Sequence, residues 1–165
     1  MFHKVIVIGC PGAGKSTFSR KLNNETGLPL YYLDMLWHKP NKTTISRSEF
    51  DCRLKDILAK DKWIIDGNYT RTLAMRLQAC DTVFLLDLPV GVCLAAAEDR
   101  VGKPREDMPW VETEFDLEFK QWILNFPQDE LPFIYEQISL FQAGKNITIF
   151  HSRDEIQQYF NKTFR

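Results

Sequence analysis

The stretch from residue 9 to residue 16 constrains the fold more than any other part of the chain. It reads Gly9-Cys10-Pro11-Gly12-Ala13-Gly14-Lys15-Ser16 and fits the phosphate-binding pattern G-x-x-x-x-G-K-[ST]. A β-branched run, V-I-V-I over residues 5–8, directly precedes it. Strand, glycine-rich loop and helix start therefore stand in the order that the motif requires, and the sequence predicts a phosphate-binding loop between the first strand and the first helix.

The residue types of this loop suit a nucleotide triphosphate. Glycines allow consecutive backbone N–H groups to converge on a phosphate at a helix N-terminus. Lys15 would reach the β- and γ-phosphates, and Ser16 would hold Mg²⁺. We therefore predict ATP and Mg²⁺ as cofactors. The predicted nucleotide contacts of the loop are Gly9, Gly12, Ala13, Gly14, Lys15, Ser16 and Thr17.

Length and charge narrow the classes of function. The 165 residues suit one domain spanning 1–165. With 21 Lys and Arg against 22 Asp and Glu, the formal charge is −1, so no excess of positive charge draws the protein to nucleic acid. No signal peptide and no apolar run of membrane-spanning length is present, so we expect a cytoplasmic protein without a membrane partner. The oligomeric state stays open.

Apolar runs alternate with helical patterns along the whole chain. Two capping boxes, Ser46 to Glu49 and Ser152 to Glu155, mark helix starts. Strands separated by helices favour a parallel sheet with right-handed crossovers. We predict the α/β, three-layer P-loop NTPase fold, with a five-stranded parallel sheet and helices on both faces. The predicted strands are residues 5–8, 30–33, 63–65, 83–86 and 146–150.

A small helical lid is predicted over about residues 100–130. The break Gly102-Lys103-Pro104-Arg105 ends the preceding helix, and a long amphipathic helix follows it. We predict that the aromatic and apolar stripe of this helix packs in the protein core rather than stacking on nucleotide bases. The stripe consists of Phe115, Phe119, Trp122, Ile123 and Phe126.

Aspartates follow three of the predicted strands. Asp34, Asp66 and Asp87 each stand at a carboxyl end, where open α/β sheets bind ligands. They are candidates to order the water shell of Mg²⁺ or to accept a proton from a phosphoryl acceptor. For Asp87, which precedes Leu88-Pro89, a helix cap is an equal alternative.

Arginines and a lysine supply the positive charge that phosphoryl transfer needs. Arg71 closely follows Asp66, and Arg100, Lys103 and Arg105 surround the Gly-Pro break. A mobile basic loop near nucleotide phosphates would neutralise developing charge and exclude water. The alternative is that these are solvated surface cations.

Two segments resemble adenylate kinases. W-I-I-D-G-N-Y-T-R-T over residues 63–72 is similar to their D-G-F-P-R-T segment, and Asp34-Met35-Leu36 resembles their G-D-M-L-R. Residues 86–100 resemble the strand and lid entry of nucleoside monophosphate kinases. The resemblance implies that Arg71 binds the acceptor phosphate and that Arg100 contacts the nucleotide or a phosphate. It places Asp34 and, through water, Asp66 in the Mg²⁺ network.

The similarity is closer still to adenylate-kinase-related proteins of the FlaR-like, DNA topology modulation group. It covers nearly the whole chain, through the L-D-x-L-x-x-x-P pattern of residues 33–40, D-G-N-Y at 66–69 and the aromatic helix around residues 122–125. Two departures from adenylate kinases concern the acceptor. Trp37 replaces an arginine, and residues 126–132 lack the basic cluster of related proteins. We therefore expect the lid to supply positive charge around the phosphates from only one side.

Two functions follow from these observations. The first is an ATP-dependent kinase that transfers the γ-phosphoryl group to a nucleotide or another small acceptor, with Lys15, Asp34, Asp66, Arg71, Arg100 and Arg105 as catalytic residues. The second is a regulatory ATP-binding protein with weak or no turnover. A GTPase switch is disfavoured, since Asn41-Lys42-Thr43-Thr44 lacks the Asp of the N-K-x-D signature and follows the wrong strand. Overall charge disfavours direct DNA binding.

Overall fold

The computed structural model describes residues 1–165. Five strands form one sheet: β1 Lys4–Gly9, β2 Leu30–Tyr32, β3 Trp63–Asp66, β4 Thr82–Leu86 and β5 Asn146–Phe150. The helices are α1 Lys15–Thr26, α2 Leu33–Trp37, α3 Arg47–Leu58, α4 Leu73–Ala79, α5 Val90–Asp99, α6 Leu117–Asp129, α7 Leu131–Phe141 and α8 Arg153–Thr163. A 3₁₀ turn, Thr70–Thr72, precedes α4. None of these helices combines the length and the apolar character that crossing a bilayer requires.

All strand pairs are parallel, and the strand order is β2-β3-β1-β4-β5. The chain leaves β1 towards one edge of the sheet and leaves β3 towards the other edge. Right-handed crossovers in opposite directions place their helices on opposite faces, which opens a crevice at the carboxyl ends of β1 and β3. The predicted fold class and the five predicted strands are confirmed, except that Leu33, predicted to end β2, begins α2.

The three central strands are buried on both faces. Every residue of β3 and β4 is buried, and so are Val5 to Gly9 of β1. On one face, Phe18 of α1 packs on Phe84 with ring centroids 4.9 Å apart, and Phe160 of α8 lies 5.1 Å from Phe18. Helices α4, α5, α6 and α7 pack together on the other face. Continuous β-branched runs, rather than alternation, are typical of such two-sided burial.

Local signals set several helix ends where the sequence predicted them. Ser46 accepts a hydrogen bond from the backbone N–H of Glu49 (3.1 Å), and Ser152 accepts one from Glu155 (3.2 Å). Gly27 ends α1 with a φ of 69°, a left-handed conformation that favours glycine. The two predicted helix starts and the end of α1 are therefore confirmed, although neither glutamate side chain bonds back to the serine N–H: Glu155 accepts from His151 and Glu49 pairs with Arg53.

The lid region differs in detail from its prediction. Residues 101–116 form no helix, and α6 begins only at Leu117, where Asp116 caps it. Of the aromatic stripe, Ile123 and Phe126 are buried, whereas Trp122 is 38% exposed. The stripe was predicted to be core, and this was wrong for Trp122, because α6 turns one side of its stripe to α5 and α7 and the other to an open cavity.

Phe84 tests the importance of the aromatic face of the sheet. Its ring is fully buried and contacts Phe18, Phe150 and Tyr159. Replacing it with Ala removes these contacts and leaves a cavity, so Phe84→Ala should lower the free energy of unfolding by about 3–5 kcal/mol in urea titrations. Leu140→Ala is the control, since Leu140 is 67% exposed, and it should change stability by less than about 0.5 kcal/mol. Equal effects of the two variants would contradict this assignment.

Candidate active site

The phosphate-binding loop lies between β1 and α1 and packs closely on backbone from other elements. A Cβ added at Gly12, where φ is 85°, would lie 1.9 Å from the carbonyl oxygen of Cys93 in α5. At Gly9 it would lie 2.4 Å from the carbonyl oxygen of Leu86 in β4. Both positions exclude any side chain, so the loop and the ends of α5 and β4 hold one another in place.

Lys15 lies within the loop that it follows. Its Nζ donates hydrogen bonds to the carbonyl oxygens of Gly9 (2.9 Å) and Cys10 (3.2 Å). Burial lowers the pKa of this ammonium, and the carboxylates of Asp66 and Asp34 oppose that shift. The positive charge of Lys15 is therefore held between the loop and two of the three predicted aspartates.

Asp66 ends β3 as a buried carboxylate, 5% exposed. Burial raises the pKa of Asp66 to about 6, although the Lys15 charge acts in the opposite direction. Its Oδ2 atom is buried and has no hydrogen-bond partner. Such an orphaned carboxylate oxygen beside a lysine fits a site for a metal-bound water.

Asn68 ties the Asp66 segment to the phosphate loop. Its Oδ1 accepts a hydrogen bond from the N–H of Gly9 (3.0 Å), and its Nδ2 donates one to the carbonyl oxygen of Gly9 (2.7 Å). The carboxyl ends of β1 and β3 are thus joined by two hydrogen bonds through one amide. The sequence predicted Asn68 only as part of a motif, and its role as a link was missed.

Arg76 binds the backbone of residues 67–69. Its role was also not predicted from the sequence. Its fully buried guanidinium donates to the carbonyl oxygens of Gly67 (2.8 Å), Asn68 and Tyr69 (3.2 Å). Burial lowers the pKa of Arg76 to about 10. A sequence signal was present, because Arg76 stands on the apolar face of α4 between Leu73 and Leu77.

Asp34 and Tyr69 form a second polar pair at the sheet edge. Asp34 lies in the first turn of α2, and its Oδ1 accepts a hydrogen bond from the Tyr69 hydroxyl at 2.6 Å. Burial, and then the Asp34 charge, raise the pKa of Tyr69, so the phenol stays protonated and donating. Tyr69 adopts a φ of 36°, rare for a residue with a side chain, and stacks on Phe50 at 5.2 Å.

The irregular segment 101–116 reaches back to the phosphate loop through Asp107. The Ser16 hydroxyl donates to Asp107 Oδ2 at 3.0 Å, and Arg105 donates to both Asp107 oxygens at 2.5 and 3.0 Å. Arg105 also lies 3.6 Å from Glu112. Burial alone would raise the pKa of Asp107, but Arg105 holds it below its ordinary value. Asp107 was not predicted, because nothing in its local sequence separates it from the neighbouring acidic residues.

One cavity of about 1270 Å³ brings most of the predicted site residues together. The cavity lies between the phosphate loop, the sheet edge and segment 101–116. Its lining includes the predicted residues Gly12, Ala13, Gly14, Lys15, Ser16, Thr17, Asp34, Asp66, Arg100 and Arg105. Gly9 does not line the cavity, and both of its backbone groups are bound by Asn68. Arg100 also has a buried Nε without a hydrogen-bond partner, and burial lowers its pKa.

Arg71 and Asp87 also lie outside this cavity. Arg71 is paired with Asp51 of α3 through hydrogen bonds of 2.6 and 3.0 Å and lines a small neighbouring pocket. Asp87 accepts a hydrogen bond from Tyr135 at 2.6 Å. The structure therefore places Lys15, Asp34 and Asp66 on one cavity. Arg71 and Asp87 do not line it.

The strand order and the glycine-rich loop between β1 and α1 define the P-loop NTPase fold. Shikimate kinase from Acinetobacter baumannii, in complex with shikimate, matches with a TM-score of 0.61 and 16% identity over 98% of this chain and 93% of that one. Shikimate kinase from Bacteroides thetaiotaomicron matches with a TM-score of 0.60 and 14% identity over 98% of this chain and 96% of its own. At these identities the likeness shows the fold. Neither family models nor curated protein sequences gave a match.

The two arginines of this region make a matched test of the scaffold. Arg76→Met leaves several buried carbonyl groups without donors and should lower the free energy of unfolding by about 3 kcal/mol or more. Arg71→Ala breaks an ion pair whose side chains are 45% and 28% exposed and should cost less than about 1 kcal/mol. Urea denaturation of both variants measures the difference. A larger loss in Arg71→Ala than in Arg76→Met would refute the scaffold role.

Proposed function

We propose that the protein is an ATP-dependent kinase that transfers the γ-phosphoryl group to a hydroxyl of a small molecule. The observation that carries the proposal is that Lys15 of the phosphate loop, Asp34 and Asp66 line one cavity at the carboxyl edge of the sheet. Phosphoryl transfer needs positioning and charge stabilisation more than covalent chemistry from the protein. The fold shared with shikimate kinases supports a small acceptor.

The nucleotide end of the cavity is the phosphate loop. Backbone N–H groups at the start of α1 would bind the phosphates, and Lys15 would turn from its loop carbonyls to the β- and γ-phosphates. Arg100 lies on the same cavity, and its buried, unpartnered Nε is a donor without an acceptor. A phosphate oxygen would satisfy it.

The oxygen ligands present fit Mg²⁺. Ser16, Asp66 and Asp107 offer one hydroxyl and two carboxylates on the cavity, and Asp66 Oδ2 is unpartnered. Ser16 would hold the ion directly, with Asp66 and Asp107 acting through its water shell. When bound, Mg²⁺ neutralises charge on the β- and γ-phosphates.

Asp34 is the proposed proton acceptor. As the acceptor oxygen forms its bond to the γ-phosphorus, the bond from that phosphorus to the β,γ-bridging oxygen breaks and ADP leaves. The hydroxyl proton passes to Asp34. Tyr69 holds the carboxylate by donating to its Oδ1, which leaves Oδ2 for the acceptor. Arg100 and Arg105 would offset the charge on the transferred group.

A regulatory ATP-binding protein with slow turnover is the second candidate. It is favoured by the contacts of segment 101–116, because Asp107 engages Ser16, and Arg105 is paired with both Asp107 and Glu112. Of residues Gln128, Asp129 and Glu130, only Glu130 lines the cavity, and it adds no positive charge. The rate of phosphoryl transfer from γ-labelled ATP across a panel of hydroxyl compounds separates the two functions.

Nucleotide binding is tested by thermal unfolding with Mg·ATP. At a hundredfold excess over the dissociation constant, binding stabilises the folded state by about 2.7 kcal/mol, which raises the Tm by roughly 5–10 °C. Lys15→Ala should remove most of that rise while the nucleotide-free protein stays folded. The exposed Lys162→Ala serves as the control and should keep it. No rise in the unaltered protein would end the nucleotide proposal.

The role of Asp34 is tested by its isosteric amide. Asp34→Asn cannot take the acceptor proton, so phosphoryl transfer should fall by about 10²–10⁴-fold. The dissociation constant for Mg·ATP should stay within about threefold, because the phosphate loop is unaltered. Asp56→Asn, an exposed change on α3 outside the cavity, should leave both quantities unchanged. A transfer rate in Asp34→Asn equal to that of the unaltered protein would exclude Asp34 as the base.

A further inference from the structure

Segment 101–116 reaches the helix of the phosphate loop through one carboxylate. The Ser16 hydroxyl, in the first turn of α1, donates to Asp107 Oδ2 at 3.0 Å. Asp107 is only 6% exposed, although its segment contains no helix or strand. A buried carboxylate loses its hydration, so it is stable there only because hydrogen-bonding and charged partners replace the water. The contact is therefore part of the packed fold.

Arg105 fixes the direction of the Asp107 carboxylate. Its Nε donates to Oδ1 (3.0 Å) and its Nη2 to Oδ2 (2.5 Å), and such a two-point contact sets the plane of a carboxylate. Glu112 lies 3.6 Å from Nη1 of the same guanidinium, and its backbone carbonyl oxygen accepts from the Gly102 N–H at 2.7 Å. All of these partners belong to segment 101–116. The carboxylate is therefore oriented by its own segment, and it leaves Ser16 when that segment moves.

The contact with Asp107 decides which atoms of Ser16 are left for other partners. A hydroxyl offers one proton and two lone pairs. Because its proton is directed at Asp107, Ser16 keeps its lone pairs for a cation, and the charge of Asp107 lies beside it. Asp66, whose Oδ2 is buried and without a hydrogen-bond partner, lines the same cavity. Oxygen atoms of this kind are the ligands that Mg²⁺ takes in proteins, directly or through water.

Asp107 does not occupy the place of a phosphate. Its side-chain oxygens accept hydrogen bonds from Ser16 and Arg105, and no N–H group of the phosphate loop donates to them. An anion that blocked the loop would accept from those N–H groups, because they form the phosphate site. Residues 12–15 of the loop still line the open cavity. The carboxylate therefore lies beside the phosphate site without filling it.

We propose that Asp107 is a positioning residue that links closure of segment 101–116 to metal binding at Ser16. In the closed segment, Asp107 accepts the hydrogen bond of Ser16 and adds its negative charge to the metal site. When the segment opens, Arg105 and Asp107 leave together, and both effects are lost. Two events that share one contact stabilise each other by the same factor. The inference rests on the proposed nucleotide site and goes beyond it, since it makes metal-dependent binding a property of the position of the segment.

The test compares nucleotide binding with and without the metal. Isothermal titration of ADP, in Mg²⁺ and in EDTA, gives two dissociation constants for each protein. Asp107→Asn should weaken binding of Mg·ADP at least about tenfold, because it removes a charge that orients a metal ligand. Binding of ADP in EDTA should stay within about threefold, since backbone N–H groups and Lys15 hold the phosphates. Glu114→Gln removes the same charge from an exposed residue of the segment and should leave both constants within about twofold.

Two other roles of Asp107 give different results. If it served only to stabilise the fold, Asp107→Asn would weaken ADP binding equally in Mg²⁺ and in EDTA. If it blocked the phosphate site, the substitution would tighten binding in both. Either result overturns the proposal. Failure of the unaltered protein to bind ADP in both conditions would refute the proposed nucleotide site as well, whereas the expected metal dependence without phosphoryl transfer to any acceptor would refute only the kinase reaction.

Hydrogen–deuterium exchange follows the segment itself. Without nucleotide, amides of residues 101–116 should exchange at least about threefold faster in Ser16→Ala than in the unaltered protein, because Asp107 then loses the hydroxyl that binds it. Mg·ADP should slow this exchange in the unaltered protein, and by no more than about half as much in Asp107→Asn. Equal exchange in Ser16→Ala and the unaltered protein, or equal slowing by Mg·ADP with Asp and with Asn at position 107, overturns the link between the segment and the metal site.

Discussion

The contact between the phosphate loop and the Asp66 segment is the constraint on which the rest of the site depends. Asn68 binds both backbone groups of Gly9, so the ends of β1 and β3 cannot move independently. Arg76 then fixes the carbonyl groups on the other side of the same segment. Asp66 ends β3, and Lys15 begins the helix that follows the loop after β1, so this link holds together the two elements that carry them.

The rigid part of the site contains three buried or half-buried charged side chains. Lys15, Asp66 and Arg76 all have pKa values shifted by burial in the direction that disfavours their charged forms. Each shift is a free-energy cost that favourable partners only partly offset. Under the proposed kinase function, a site that holds such charges in advance would stabilise the charge of a transferring phosphoryl group, because little reorganisation is then needed during the reaction.

The two ends of the cavity differ in character. The phosphate end combines a cationic loop with carboxylates that fit a metal ion, whereas the Asp34 end is walled by rings. Segment 101–116 closes on both, since Asp107 reaches Ser16 while Trp110 reaches His38. If the proposed nucleotide and acceptor bind at these two ends, opening or closing of this one segment would affect both, which is the coupling expected of a lid.

Features that depend on neighbours in the chain were predictable from the sequence. The phosphate loop, the serine caps at Ser46 and Ser152 and the burial of the strands follow from spacing and residue type within a few positions. The division of the aromatic stripe of α6 was not predictable, because the side on which Trp122 falls depends on where segment 101–116 leaves an open cavity. The burial of Arg76 could have been predicted from its place between Leu73 and Leu77, but its partners could not, since they are backbone carbonyl groups that no sequence pattern reveals.

The sequence by itself determined the parallel α/β fold, the glycine-rich loop between β1 and α1 and the arrival of Asp34 and Asp66 at one edge of the sheet. Tertiary structure alone decided which charges share the cavity. It pairs Arg71 with Asp51 outside and brings Asp107 to Ser16 across ninety-one positions. The physical reason is that strand order and helix starts are encoded by local periodicity and steric limits, whereas a charged side chain takes the partner that the packed elements place within reach.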